Sequence, residues 1–360
     1  MKPVEDSEPL AVAFAPDWSQ GNPYQSHLKQ ALQGEQVSVS YIQPRNWGFP
    51  LAEVAEQRKV RLIHLHWPEA FFDPSGRIWR VEMKKLRYWI DFHRASACCP
   101  LVLTAHNLYP HNRRDEEVVR ALVRMTYTKA RAVIAHSAAA AITIQREFGV
   151  KRDKLQVIPH GTGGEDDSLV TQLSSAEARD RLGIQSDQPI CLIFGVIAPY
   201  KGIEEVVRFW KAHSPDCDLR IVGSPTSLEY CRTLEKLIDH HPRIYLLARW
   251  LSDEEIKVCL RAANCVLFNY SHILTSGAAI QARSLGIPIL LPHRLRTVDL
   301  SEPHPLVTRF WRFDFDFNDA LRTALATKPD YALAEEFRKQ TSWPQVARMT
   351  AELYRSILEN

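Results

Sequence analysis

The feature that most constrains this chain is an alternation of short apolar runs with helical segments, and it occurs twice. In the first half, apolar runs lie at Leu10–Ala15, Val37–Ile42, Val60–His66, Leu101–Thr104, Ala132–Ala135 and Leu155–Ile158. Several of them stop at Pro, Asp or Trp-Pro. Helical patterns fall between them near Tyr24–Leu32, Val81–Ala97 and Ala138–Phe148. Such a βαβ rhythm predicts a mostly parallel sheet covered by helices. Residues 162–187 are polar and acidic, with Gly163-Gly164-Glu165-Asp166-Asp167, and read as a linker. The rhythm then restarts, with strands expected at Pro189–Phe194, Asp218–Val222, Ile244–Leu247, Cys265–Phe268 and Pro288–Leu291. Ser252-Asp253-Glu254-Glu255 has the form of a capping box. The dense aromatic–acidic stretch Trp311–Phe317 is expected to be structural.

A chain of 360 residues is longer than a single core usually supports. The expected architecture is α/β: two facing Rossmann-like domains with a cleft at the carboxyl ends of their strands. The expected boundaries are residues 1–170, residues 171–340, and a final helix over 341–360 that crosses back to the first domain.

Charge and cysteine content narrow the function classes. With 45 Lys and Arg against 42 Asp and Glu, the net charge is only +3, and no basic tail points to nucleic acid. No apolar stretch reaches the roughly 18 residues that would span a bilayer. The start, Met1 to Glu8, is acidic and has no apolar core of a signal sequence, so a cytoplasmic location is expected. The seven cysteines form no CxxC pair and several sit in apolar runs, which predicts reduced core thiols and no metal site.

Two strand-to-helix turns in the second half carry the clearest chemistry. Phe194-Gly195 leads through Pro199-Tyr200 to Lys201-Gly202, which places a lysine at the mouth of a helix. Asn269 to Ala278 ends another strand and offers Ser276 as a cap, with Gly277 allowing close approach to backbone N–H groups. Free N–H groups, a helix dipole and a lysine together suit a diphosphate. Neither turn is a Walker A loop, and the first strand lacks the GxGxxG of a dinucleotide fold. Pro225, Arg249 and Trp250 follow two further strands and are candidates for the base and ribose. In the first half, polar residues collect at strand ends: Asp17, then His64, His66 and Glu69, then His106, Asn107 and His111. A general base for activating an acceptor hydroxyl is expected among Glu69, His106 and Asp17, in that order. Asn22, in Gly21-Asn22-Pro23-Tyr24, is a candidate to close over the diphosphate. Lys84, Lys85, Arg87, Tyr88 and Trp89, with Arg113 and Arg114, form basic–aromatic patches that would suit an anionic membrane surface.

Taken together, these segments resemble the bacterial GT-B glycosyltransferases. The resemblance rests on His64-Leu65-His66-Trp67-Pro68-Glu69, Thr104 to His111, Phe194-Gly195 through Gly202, Ile221-Val222-Gly223-Ser224-Pro225, Ser276-Gly277 and Leu285-Gly286-Ile287-Pro288-Ile289, with Asn22-Pro23-Tyr24. More closely, the set is similar to the inverting beta-mannosyltransferases that use GDP-mannose and extend lipid-linked exopolysaccharide intermediates of the xanthan type. The resemblance implies a metal-independent enzyme with no tightly bound cofactor, an acceptor-side first domain and a nucleotide-sugar-binding second domain. It places Lys201, Ser276 and Gly277 at the donor phosphates and His106 near the transferred sugar. Retaining GT-B enzymes usually carry two glutamates eight positions apart, where this chain has Ile273 and Gln281, and an arginine where it has Val196. A retaining or UDP-sugar-dependent transferase, and a nucleotide-sugar-binding protein without turnover, are the alternatives.

Overall fold

The computed structural model describes residues 8–19, 23–43, 50–72, 78–110, 117–162, 173–295 and 304–359. The chain divides into two compact units, residues 1–161 with 341–360, and residues 162–340.

The first unit holds strands β1 (Leu10–Ala15), β2 (Val37–Tyr41), β3 (Leu62–His66), β4 (Leu101–Thr104), β5 (Ala132–Ala135) and β6 (Leu155–Val157). They form one parallel sheet in the order β2-β1-β3-β4-β5-β6. The connecting helices are α1 (Pro23–Gln33), α2 (Leu51–Glu56), α3 (Ile78–Cys98), α4 (Glu117–Lys129) and α5 (Ala138–Phe148). β3 and β4 are buried along their whole length, as central parallel strands are, and this burial includes His64 and His66 of β3. β2 lies at the edge and alternates, with Val37 and Val39 inward and Ser38 and Ser40 outward. Ser137 starts α5 by accepting a hydrogen bond from the Ala140 N–H.

The second unit repeats the design. Its strands are β7 (Ile190–Phe194), β8 (Asp218–Val222), β9 (Ile244–Leu247), β10 (Cys265–Leu267), β11 (Ile289–Pro292) and β12 (Val307–Phe310), in the parallel order β12-β11-β10-β7-β8-β9. Around them lie α6 (Ser175–Arg181), α7 (Ile203–His213), α8 (Leu228–Ile238), α9 (Asp253–Ala262), α10 (Gly277–Ser284), α11 (Phe317–Ala326) and α12 (Tyr331–Gln340). The capping box at Ser252 and Glu255 forms, and a second at Ser174 and Glu177 opens α6 inside the stretch that reads as linker. Trp311–Phe317 splits by face: Phe317 is in the core beside Phe313, whereas Trp311 and Phe315 point outward.

The last helix, α13 (Trp343–Glu359), belongs to the first unit. Val346, Ala347, Ala351 and Tyr354 join the same apolar cluster as Leu28 and Leu32 of α1. Its entry is tight: a Cβ added at Gly161 would lie 2.4 Å from the Trp343 ring. That ring also meets those of Tyr24 and His27, each at 5.3 Å between centroids. Gly161→Ala therefore forces the indole out of its place. A loss of about 1–3 kcal/mol in stability is expected, read as a lower thermal midpoint.

No described helix is long and apolar enough to cross a membrane. Cys99, Cys191, Cys217, Cys231, Cys259 and Cys265 are buried free thiols and Cys98 is an exposed one.

Candidate functional site

In the second unit the carboxyl ends of four adjacent strands form a rim, and the candidate donor residues follow them in spatial order. Ser276 comes after β10, Lys201 after β7, Pro225 after β8 and Arg249 after β9. At about 4.8 Å per strand, this rim spans roughly 14 Å. Gly223 is needed at its centre. Its φ is 140°, and a Cβ there would lie 1.9 Å from the Gly195 carbonyl oxygen. That close approach lets the two neighbouring loops stitch together, the Ile197 N–H donating to Ser224 O and the Thr226 N–H to Ile197 O. Pro225 pairs with Ile197 in this stitch.

Lys201 sits on a single 3₁₀ turn, Pro199–Lys201, and Gly202 separates it from α7. Its side chain is 4 % exposed. The ammonium donates to the Phe194 carbonyl oxygen at 2.6 Å and lies 5.6 Å from the centre of the Tyr270 ring. Burial pulls its pKa down from 10.5 to about 7. Ser276 caps α10 by accepting from the Ala279 N–H at 3.1 Å, while Gly277 at the first helical position is exposed. Arg249 and Trp250 are exposed beyond the edge strand β9, and the Arg249 guanidinium is held by Glu255 at 2.6 Å. Asn22 and His111 lie outside the described residues.

Two residues at this rim carry no distinctive local sequence signal. Asn269 is buried, and its amide donates to Gly202 O and Glu205 Oε2, both at 3.0 Å. The Arg294 guanidinium, two residues beyond β11, donates to Asn269 Oδ1 at 2.5 Å and to the Tyr270 carbonyl oxygen at 3.3 Å. This bolt ties the ends of β10 and β11 to the start of α7. A lone Asn after one strand and an Arg after another, 25 positions apart, look like loop residues until the sheet brings them together.

The polar residues of the first unit collect at the ends of β3, β4, β5 and β6, where four histidines surround Tyr24 and a fifth, His64, packs on His66 at 4.1 Å between centroids. The Tyr24 ring lies 4.8 Å from His106, 4.9 Å from His160, 5.6 Å from His136 and 5.7 Å from His66, between centroids. His64 and His66 share one face of β3, as residues two apart in a strand must. His66 Nδ1 and His106 Nε2 share a proton position at 3.3 Å. Trp67 holds a left-handed backbone, φ 46°, and stacks on His106 with 3.8 Å between ring centres. A bulky residue in that conformation is strained, and such strain collects at working sites. Burial drives the pKa of every one of these histidines down, His64 and His136 to about 3 and His160 to about 4. His66 and His106 fall well below 6.5 for the same reason, reinforced by their histidine neighbours. All five are neutral at working pH. Ring nitrogens of His66 and His136 are buried without a hydrogen-bond partner.

The sequence brings Asp17, His66, Glu69 and His106 to the ends of neighbouring strands, and the structure separates them. His66 and His106 are in contact. Glu69 lies on the 3₁₀ turn Pro68–Phe72, half-buried, with the Asn107 amide donating to it at 3.5 Å. Burial raises its pKa from 4.5, only partly offset by that amide and by a backbone hydrogen bond. Asp17 goes elsewhere. Its carboxylate accepts from Ser19 N–H and O–H, at 3.0 and 2.6 Å, and from the Gln43 amide at 2.7 Å. Burial pushes its pKa up, but these hydrogen bonds outweigh it and the pKa falls below 3.8. Among the described residues no group of three or more His, Cys, Asp or Glu is arranged to hold a metal ion.

Comparison with known proteins bears on this pair of units. A profile described as Glycosyltransferase Family 4 matches residues 13–162. The GDP-mannose:glycolipid 4-beta-D-mannosyltransferase of Xanthomonas campestris pv. campestris is 25 % identical over 350 residues, covering 94 % of this chain and 88 % of the relative. The sucrose-phosphate synthase of Thermosynechococcus elongatus superposes with a TM-score of 0.76 at 17 % identity, over 98 % of this chain and 100 % of that one. The HepE protein of Anabaena, solved with UDP, superposes with a TM-score of 0.65 at 14 % identity, over 96 % and 99 %. This chain is a glycosyltransferase. Its fold is GT-B, two Rossmann-like domains. In the second domain of the transferase the strand order reverses between β10 and β7, the kind of point at which open parallel sheets bind ligands.

Proposed function

We propose that the transferase moves mannose from GDP-mannose to a hydroxyl of a lipid-linked glycan, with inversion at the anomeric carbon. The observation that supports this reading most is the alignment over 94 % of the chain with a GDP-mannose:glycolipid 4-beta-D-mannosyltransferase. In this mechanism Glu69 takes the proton of the acceptor hydroxyl. The acceptor oxygen bonds to the anomeric carbon from the face opposite the leaving group, and the bond to the GDP oxygen breaks. A carboxylate whose pKa is raised toward neutrality by burial is suited to that transfer. The leaving diphosphate gains charge, which Lys201 and the free N–H groups at the start of α10 offset. Pro225, Arg249 and Trp250 line the side of the rim that takes the guanosine. With its charge held by Glu255, Arg249 contributes through its backbone and its fixed geometry. His106 supports the transferred sugar, and Asn22 closes over the diphosphate.

The deciding experiment is calorimetry of the purified protein against GDP-mannose, GDP-fucose, UDP-glucose, UDP-N-acetylglucosamine and UDP-glucuronate without added metal. Selective GDP-mannose binding is expected. Selectivity for a UDP-sugar overturns the choice of donor and keeps the transferase.

The acceptor side of the reading includes a membrane contact at α3. Met83, Leu86, Trp89 and Ile90 are all exposed, and their spacing of three and four puts them along one stripe. The basic residues near it are largely committed. Lys85 is buried and bonded to Glu82 at 2.8 Å, and the Arg87 Nε lies 3.4 Å from Asp91. Apolar insertion rather than charge attraction then supplies the affinity. Binding to vesicles is expected to persist from low salt to about 0.5 M NaCl, where exposed charges are screened within a few Å. It is expected to disappear in Trp89→Glu. Release by salt would show that Lys84, Arg113 and Arg114 carry the contact instead.

A further inference from the structure

The C-terminal helix reaches the histidine cluster through one hydroxyl. Tyr354 of α13 is fully buried, and its oxygen lies 2.5 Å from His64 Nδ1. The opposite ring nitrogen, His64 Nε2, lies 2.7 Å from Thr104 Oγ1. The His64 ring lies 4.1 Å from that of His66, between centroids, and His66 Nδ1 lies 3.3 Å from His106 Nε2. A hydroxyl from α13 and one from β4 thus hold the two ring nitrogens of His64, whose ring packs against the His66–His106 pair.

The direction of these bonds follows from the acidity of the two hydroxyls. Of the pair that holds His64, the Tyr354 phenol is much the stronger acid and makes the shorter contact, so it is the better donor to a neutral imidazole. Tyr354 therefore donates to Nδ1. A neutral imidazole has a single N–H, so it sits on Nε2 and donates to Thr104.

We infer that Tyr354 is a positioning residue for the transfer reaction: it fixes the His64 tautomer and, through the His64 ring, the orientation of His66 against His106. The inference rests on the proposed role of His106 at the transferred sugar. A tyrosine that merely filled space would be replaced by phenylalanine without consequence for the cluster. A proton-donating tyrosine would not.

The test uses the full chain with ¹⁵N-labelled histidine. Imidazole NMR at neutral pH is expected to show His64 with a bare Nδ1 and a protonated Nε2. A proton on Nδ1 overturns the inference whatever the enzyme turns over. In Tyr354→Phe and, separately, Thr104→Val, the His66 and His106 ring resonances are expected to move. GDP-mannose affinity should stay within about twofold, while kcat for transfer falls about tenfold, the scale of one buried hydrogen bond lost from a network. Combining the two changes should cost no more than the worse single change, because both break one chain. Unmoved His66 and His106 resonances, or losses that multiply, overturn it. If GDP-mannose does not bind at all while His64 shows the expected tautomer, the donor assignment fails and the hydrogen-bond chain stands.

Discussion

Glu69→Gln is expected to lower kcat for transfer by about 10²–10⁴-fold while leaving donor affinity within about twofold. The substitution keeps the shape of the side chain and its hydrogen bond with Asn107, and removes only the ability to take a proton. Burial raises the Glu69 pKa above its ordinary 4.5, so wild-type kcat/KM should climb with pH through a limb displaced toward neutrality. That limb should vanish in Glu69→Gln, because the titrating group is gone. Rates across pH 4–9 for the two proteins, with donor binding measured alongside, check both parts. Full activity in the variant would move the base to His106 or Asp17. Of these, His106 is the stronger successor. It is neutral, lies at the cluster and contacts His66, whereas the Asp17 carboxylate already accepts three hydrogen bonds from Ser19 and Gln43.

Lys201→Ala is expected to weaken nucleotide-sugar binding by about 10–100-fold, the range for losing a hydrogen bond from a charged group. The wild-type interaction should also depend on pH with a definite sign. In the free protein, burial sets the Lys201 pKa at about 7, so the ammonium is present below that pH and is increasingly neutral above it. A diphosphate beside it favours the charged form. Binding above pH 7 must therefore take up a proton, and affinity should fall as pH rises from about 7 toward 9. Calorimetry in two buffers of different ionisation enthalpy measures that uptake. Lys201→Ala should abolish both the proton uptake and the slope. An unchanged pH slope in the variant would assign the titration to another group and leave Lys201 as a purely structural prop for the Phe194 carbonyl.

The rim that carries Lys201 was legible because each of its parts is local. A strand ending in Phe194-Gly195, a Pro-containing turn and a lysine can be read within nine residues. Ser276 with Gly277 can be read as a helix start. Both halves of the fold were legible for the same reason, since hydrophobic period and turn residues act over short windows. The pairing of Asn269 with Arg294 was not legible, because it depends on β10 and β11 lying side by side in the sheet. Nor was the neutralisation of the α3 lysine and arginine, which needs the rotation of that helix to decide that Lys85 faces inward.

What the sequence alone determined was the alternation, and with it two parallel sheets whose polar strand ends all lie on one edge of each. Right-handed crossovers leave the chain no other way to return. What only the tertiary structure decided was which of those polar residues meet. Asp17 and His66 both end strands of the first domain, yet Asp17 turns to Ser19 and Gln43 while His66 turns to His106. A strand fixes the edge at which a side chain emerges. Its direction, its burial and therefore its pKa depend on neighbours supplied by distant parts of the chain, as Tyr354 is for His64 from 290 positions away.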